Sequence, residues 1–168
     1  ENEILAFDIT NSQTHARGTV KRFGWLNLVL GFMVDRKRLV EQGAGRWLMV
    51  RNHLVNGDAY GGLIGNARGL VRLMLALSSS DLLLSASSRR LLFEPVHARG
   101  QPRSLGGFTG TLLSEPWCAH PGAGAGYYCE ARIYPKLGCA SAVMFNRAGV
   151  RDERILDRID RPLVASMR

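Results

Sequence analysis

The residues with the clearest chemical capacity lie in one short run, Ala119-His120-Pro121-Gly122-Ala123-Gly124-Ala125-Gly126, which leads into a strand-like stretch from Tyr127 to Tyr134. Histidine is the side chain whose ordinary titration brackets neutral pH, so an imidazole at the mouth of a strand can hold or move a proton there. Glycine at every second position strips one side of the strand and lets another molecule approach the backbone closely. The combination reads as a site, with His120 as its proton carrier. The plainer alternative is a histidine that only packs within its strand.

A second group of chemically capable residues surrounds the first. Cys118 and His120 alternate onto one face of a strand, and Cys129 and Cys139 fall on neighbouring strand-like runs. A Cys-x-His pair with two further cysteines can be drawn as a zinc site. The spacing matches no common knuckle, however, and cysteine is an ordinary small hydrophobe in a sheet. The reading is therefore no metal and no cofactor. Three cysteines make an odd count, which argues against a closed disulfide framework. His15, His53 and His97 have no carboxylate or cysteine at useful spacing, and no serine sits in a G-x-S-x-G elbow.

The elements that must position this run follow from periodicity and punctuation. Residues 4–9 read as a short extended piece, and Gly24 to Val34 as an apolar helix. Residues 35–60 show no clear period and read as a long surface excursion. Asn66 caps a helix whose stripe is Leu70, Val71, Met74, Leu75 and Leu77, and Ser85 caps a shorter one through Phe93 that Pro95 stops. From Leu105 the pattern changes to strands at Gly106–Leu113, Trp117–His120, Tyr127–Tyr134 and Cys139–Asn146, with short turns between them. A final helix over Asp152–Ala165 presents Ile155, Leu156, Ile159, Leu163 and Val164 as its buried face. Helices followed by an antiparallel sheet backed by a C-terminal helix define an α+β chain. It reads as a single unit over 1–168, with 1–104 mostly helix and loop and 105–168 carrying the sheet and last helix.

Two of these segments resemble a known family. His120-Pro121-Gly122, ahead of a two-strand run ending at Met144-Phe145-Asn146-Arg147, resembles the third motif of the serine β-lactamase, penicillin-binding-protein and class C-like esterase superfamily. That motif is written K-T-G, or H-x-G in many esterase and peptidase members. Asp58-Ala59-Tyr60-Gly61-Gly62-Leu63-Ile64-Gly65-Asn66-Ala67-Arg68-Gly69-Leu70 is similar to the pocket turn and following helix of the class C branch. The resemblance covers most of the chain from residue 53 onward, and more loosely Thr14 to Gly18.

The resemblance implies a partial β-lactamase/transpeptidase-like fold and a role for each matching residue. His120 stands in the place of the motif's lysine, where it assists proton traffic or orients the carbonyl and carboxylate end of a substrate. Gly122 keeps the strand edge open, and the backbone N–H of Ala123 is one of two oxyanion donors. Tyr60 forms the acyl-side pocket wall, with Gly61 and Gly62 flat beneath it. Pro121 replaces a threonine hydroxyl that helps hold a substrate carboxylate, which favours esterase or peptidase work over lactam cleavage. The family's nucleophile motif, S-x-x-K, is missing: the nearest imitation is Ser87-Ser88-Arg89-Arg90, and arginine is a poor base. The Y-x-N motif is missing as well. Both precede the pocket turn in the family, so the resemblance implies the C-terminal portion of a serine hydrolase. The nucleophile would come from a missing N-terminal segment or a second copy, and the substrate would be a small-molecule ester, amide or lactam. The alternative is a catalytically inactive binding or interaction module of the same fold.

Composition bounds these expectations. The 168 residues are 46% hydrophobic and 21% charged, enough for one domain with a real core. A net charge of +8 raises the question of nucleic acid, but the basic residues are scattered and no basic-aromatic ladder or zinc-finger spacing appears. No nucleic-acid partner is expected, and no apolar run is long enough for a membrane span. The chain begins at Glu1 and shows no signal-peptide pattern, which reads as a truncated or processed start and leaves cytoplasmic and exported (periplasmic) locations both open.

Overall fold

A computed structural model describes residues 15–33, 35–53, 61–96, 102–124, 126–150 and 155–168. The extended piece expected at 4–9, the pocket residue Tyr60 and the loop containing His97 lie outside the described residues. In chain order the elements are β1 (Thr19–Lys21), α1 (Trp25–Met33), α2 (Arg36–Leu39), β2 (Val40–Gln42), β3 (Trp47–Val50), α3 (Ala67–Ser79), α4 (Ala86–Phe93), β4 (Arg103–Ser104), β5 (Gly107–Leu112), β6 (Glu115–Gly124), β7 (Tyr127–Tyr134), β8 (Cys139–Phe145) and α5 (Ile155–Ser166). The class is α+β, with an antiparallel five-stranded sheet in the order β4-β5-β6-β7-β8.

The two middle helices form where their caps stand. Asn66 accepts the amide of Gly69 at 2.9 Å and Ser85 that of Ser88 at 3.2 Å, each satisfying a donor the first helical turn cannot. Leu70, Met74 and Leu75 of α3 pack on Cys118, Ala131 and Ile133, which alternate onto one face of the large sheet. The opposite face carries Tyr128, Glu130, Arg132 and Tyr134 and is closed by α5.

Residues 35–50 are not an irregular excursion. They contribute β2 and β3 to a three-stranded antiparallel sheet in the order β1-β3-β2, with Val20, Leu48, Val50 and Ala148 as a small core of its own. Each strand has only three or four residues, too few for a period of two to show in a sequence window. The small sheet meets the large one where Thr19 bridges Arg147 and its amide donates to the Gly126 carbonyl at 3.1 Å.

The face of α5 also differs from expectation. Leu156, Asp160 and Val164, spaced by one turn, are the buried residues, whereas Ile159 is 52% and Leu163 37% exposed. A buried aspartate displaced the apolar stripe, for a reason that lies in the sheet beneath it.

Candidate active site at an uncovered strand edge

The register of β6 with both neighbours runs without a slip. It places Leu112 opposite Glu115 through Phe108 opposite Ala119 on one side, and Cys118 opposite Ile133 through Gly124 opposite Tyr127 on the other. β6 is thus much longer than the Trp117–His120 strand read from the sequence, and it continues straight through Pro121 and the glycines. β5 covers only its first half. Beyond His120, residues 121–124 pair with β7, and among the described residues no strand lies along their other edge.

A glycine marks where the cover ends. Gly107 has φ +150°, and a side chain there would strike the Ala119 carbonyl, so the chain can turn from β5 toward β4 at this point only without a Cβ. The turn brings the Gly106 carbonyl to 3.3 Å from Nδ1 of His120. A carbonyl only accepts, so Nδ1 donates in this contact, and a neutral ring then carries its lone pair on Nε2. His120 itself is exposed, on the sheet face shared with Cys118 and Gly122.

Which backbone groups face the open edge follows from the two hairpins. In an antiparallel strand the N–H and C=O of one residue point to the same edge, and successive residues point to opposite edges. Leu113 and Ser114, at φ 52° and 70°, form the turn between β5 and β6, and such a two-residue turn is closed by a hydrogen-bonded pair, here Leu112 with Glu115. Odd-numbered residues of β6 therefore face β5 and even-numbered ones face β7. The second hairpin agrees: Gly124 and Tyr127 flank its two-residue turn, so Gly124 faces β7. Pro121 agrees too, because a residue without an N–H falls on the odd positions, where no ladder bond is lost. The N–H and C=O of Ala123 and the C=O of Pro121 are thus directed at the uncovered edge. Ala123 is exposed and Pro121 half-buried.

The remaining expected residues divide. Gly122 lies directly opposite Cys129, whose Sγ fills the space where a side chain at 122 would sit, at 2.9 Å from that position. Gly61 is exposed, and it leads into α3 on the same sheet face as His120. Gly62 turns the chain there at φ +99°.

None of the cysteines is an activated nucleophile. Burial pushes the Cys118 thiol up against a hydrogen bond from Ser104, 3.2 Å away. Burial likewise pushes up Cys129, against a hydrogen bond from the Gly122 backbone, and Cys139, where Asp160 adds to the effect. Raised values keep thiols protonated and unreactive at neutral pH. Cys139 also sits opposite Tyr134, on the sheet face away from Cys118 and Cys129. Among the described residues no group of three His, Cys, Asp or Glu side chains gathers to hold a metal ion.

Sequence reasoning missed the most extensive buried polar assembly among the described residues. The guanidinium of Arg132, 1% exposed, donates to Asp157 at 2.6 Å and to Glu130 at 3.3 Å, and lies 4.2 Å from the Trp117 ring. Asp160 accepts from Tyr134 and from Ser141, each at 2.8 Å. Tyr128 donates to Glu130 at 3.3 Å. Burial pushes Glu130 above the usual carboxylate range, and the opposing pull of Arg132 does not cancel it. Burial alone would lower Arg132, but its hydrogen bonds to Tyr134 and Asp157 outweigh that and hold it up. Burial also raises the Tyr134 hydroxyl. The signal was present as Glu130 and Arg132 on one strand face and Asp157 and Asp160 one helical turn apart. No local pattern says that the two segments meet.

Comparison of the chain with protein-family models and with curated proteins finds no match to either.

Proposed function

We propose that the uncovered edge of β6 is the substrate edge of a serine hydrolase of the β-lactamase-like type, acting through an acyl-enzyme on an ester, amide or lactam. One observation carries the reading: an outward N–H at Ala123 stands three residues beyond an exposed histidine whose Nδ1 is tethered to a carbonyl. A backbone donor fixed by a sheet needs no reorganisation when charge develops on an attacked carbonyl oxygen. The Nε2 lone pair of His120 accepts a proton or orients the polar end of the substrate. The nucleophile in this reaction is a serine hydroxyl supplied from outside these residues. Its oxygen attacks the carbonyl carbon while its proton passes to a base. The oxyanion leans on Ala123, and the C–O or C–N bond then breaks as the leaving group regains a proton. Water hydrolyses the resulting ester by the same path.

The second reading, an inactive binding module of the same fold, is favoured by the absence of any S-x-x-K in these 168 residues. The complete reading frame separates the two. The hydrolase reading expects an S-x-x-K serine in it that a fluorophosphonate probe labels, and an Ala123→Pro variant whose labelling is slower by about 10²–10³, the usual worth of one oxyanion donor. A complete frame without S-x-x-K, or unchanged labelling of the variant, overturns it.

A further inference from the structure

A different part of the molecule is built to meet a surface. In α1, Trp25 is 78%, Leu28 54% and Phe32 85% exposed, and Phe23 just before the helix is 86% exposed. Positions 25, 28 and 32 are separated by one turn and then another, so they form a single stripe along the helix. Scattered exposed apolar residues are normal, but two aromatic rings and a leucine aligned on one short helix are not.

Charge identifies what the stripe faces. Residues 15–53 hold eight basic side chains (Arg17, Lys21, Arg22, Arg36, Lys37, Arg38, Arg46 and Arg51) against two acidic ones, Asp35 and Glu41. This surplus of six, in a chain whose net charge is +8, concentrates positive charge in less than a quarter of the sequence. The cations bracket the helix, with Lys21 and Arg22 ahead of it and Arg36-Lys37-Arg38 behind. Lys21 and Arg38 are exposed. A nucleic acid would meet the cations but leave a leucine and a phenylalanine in water. An ordinary protein partner would have no need of cations at both ends.

The geometry points to a monotopic lipid contact: α1 lies flat on an anionic bilayer, with Trp25, Leu28 and Phe32 at the headgroup–acyl boundary and the exposed Lys21 and Arg38 against the headgroups. The helix is nine residues long, so it rests on the membrane and does not cross it, in keeping with the lack of any spanning helix among the described residues. The inference is independent of the chemistry proposed for β6.

Vesicle co-sedimentation tests it, with vesicles of phosphatidylcholine alone and with 30% phosphatidylserine. The protein should sediment with the anionic vesicles and be released by 0.5 M salt, and Trp25 should shift its emission to the blue on binding. Trp25→Ser with Phe32→Ser should weaken binding by at least ~10-fold, given what burying one aromatic contributes. Lys21→Gln and Arg38→Gln should each weaken it by about 5-fold. Melting curves of the variants check that they fold. No binding, equal binding to neutral vesicles, or variants that bind like the parent overturn the inference. A concentration-dependent dimer that Trp25→Ser abolishes would assign the stripe to a second copy instead. Displacement of the vesicles by duplex DNA would assign it to nucleic acid.

Discussion

The face of the sheet under α5 and the outer edge of β6 treat polar groups in opposite ways. Under α5, one guanidinium, three carboxylates and two phenols bond to one another in a largely buried cluster, with Asp157 at its exposed margin and Arg132 Nε and Asp160 Oδ1 left without a partner among the described residues. On the neighbouring strand β6, the backbone of Pro121 and Ala123 turns its hydrogen-bonding groups toward a space that β5 does not reach. The first arrangement spends its polarity on holding a helix in place. The second leaves backbone groups that no strand among the described residues pairs with, which is why the substrate edge is proposed there.

Substitutions can break each side of that contrast. The largest effect belongs to Arg132→Ala, which strands Glu130 and Asp160 as buried charges and should cost about 3–5 kcal/mol. A denaturant titration in which Arg132→Ala melts like the parent would show that the carboxylates are hydrated after all. Next come two neighbours on one strand. Gly122→Pro deletes an N–H that faces β7 and sets a ring against the Cys129 sulfur, for a cost of about 2–3 kcal/mol. Ala123→Pro deletes an N–H that faces outward and should change stability by less than about 0.5 kcal/mol. Equal losses from the two prolines would mean that the edge is covered.

Two smaller effects sharpen the picture. Leu113→Asn with Ser114→Gly supplies residues suited to positive φ and should stabilise the β5–β6 hairpin by about 1–2 kcal/mol, read as a higher melting temperature. Glu130→Gln gives a pH signature. A carboxyl whose value is raised by burial penalises the folded state once it ionises, so its contribution to stability is present in acid and is lost as pH rises through the raised value. The glutamine variant should therefore melt higher than the parent at pH 7, by about 2–4 °C for each kcal/mol relieved, and the gap should close on acidification. A gap that widens in acid would mean that Arg132 wins over burial.

Much of this architecture is legible in the amino acids. The caps at Asn66 and Ser85, the four long strands and the α+β order all follow from local signals, because each depends on residues within a few positions of one another. The edge beyond His120 was legible as a glycine-rich run. Its uncovered half required knowing where β5 ends, which Gly107 marks because a side chain there would strike the Ala119 carbonyl. The small sheet escaped because its strands are too short to show a period. The Arg132 assembly escaped because its partners sit 25 and 28 positions away on a helix whose apolar pattern pointed to Ile159 and Leu163.

The two tight hairpins that flank β6 carry a consequence for how this protein can change. Each turn holds two residues, and that length alone sets the phase of the strand between them. Inserting or deleting one residue in either turn would rotate β6 by half a pleat, sending the Ala123 amide inward and the imidazole of His120 onto the α5 side. Turn length holds that phase more strictly than the exposed side chain at position 123 does.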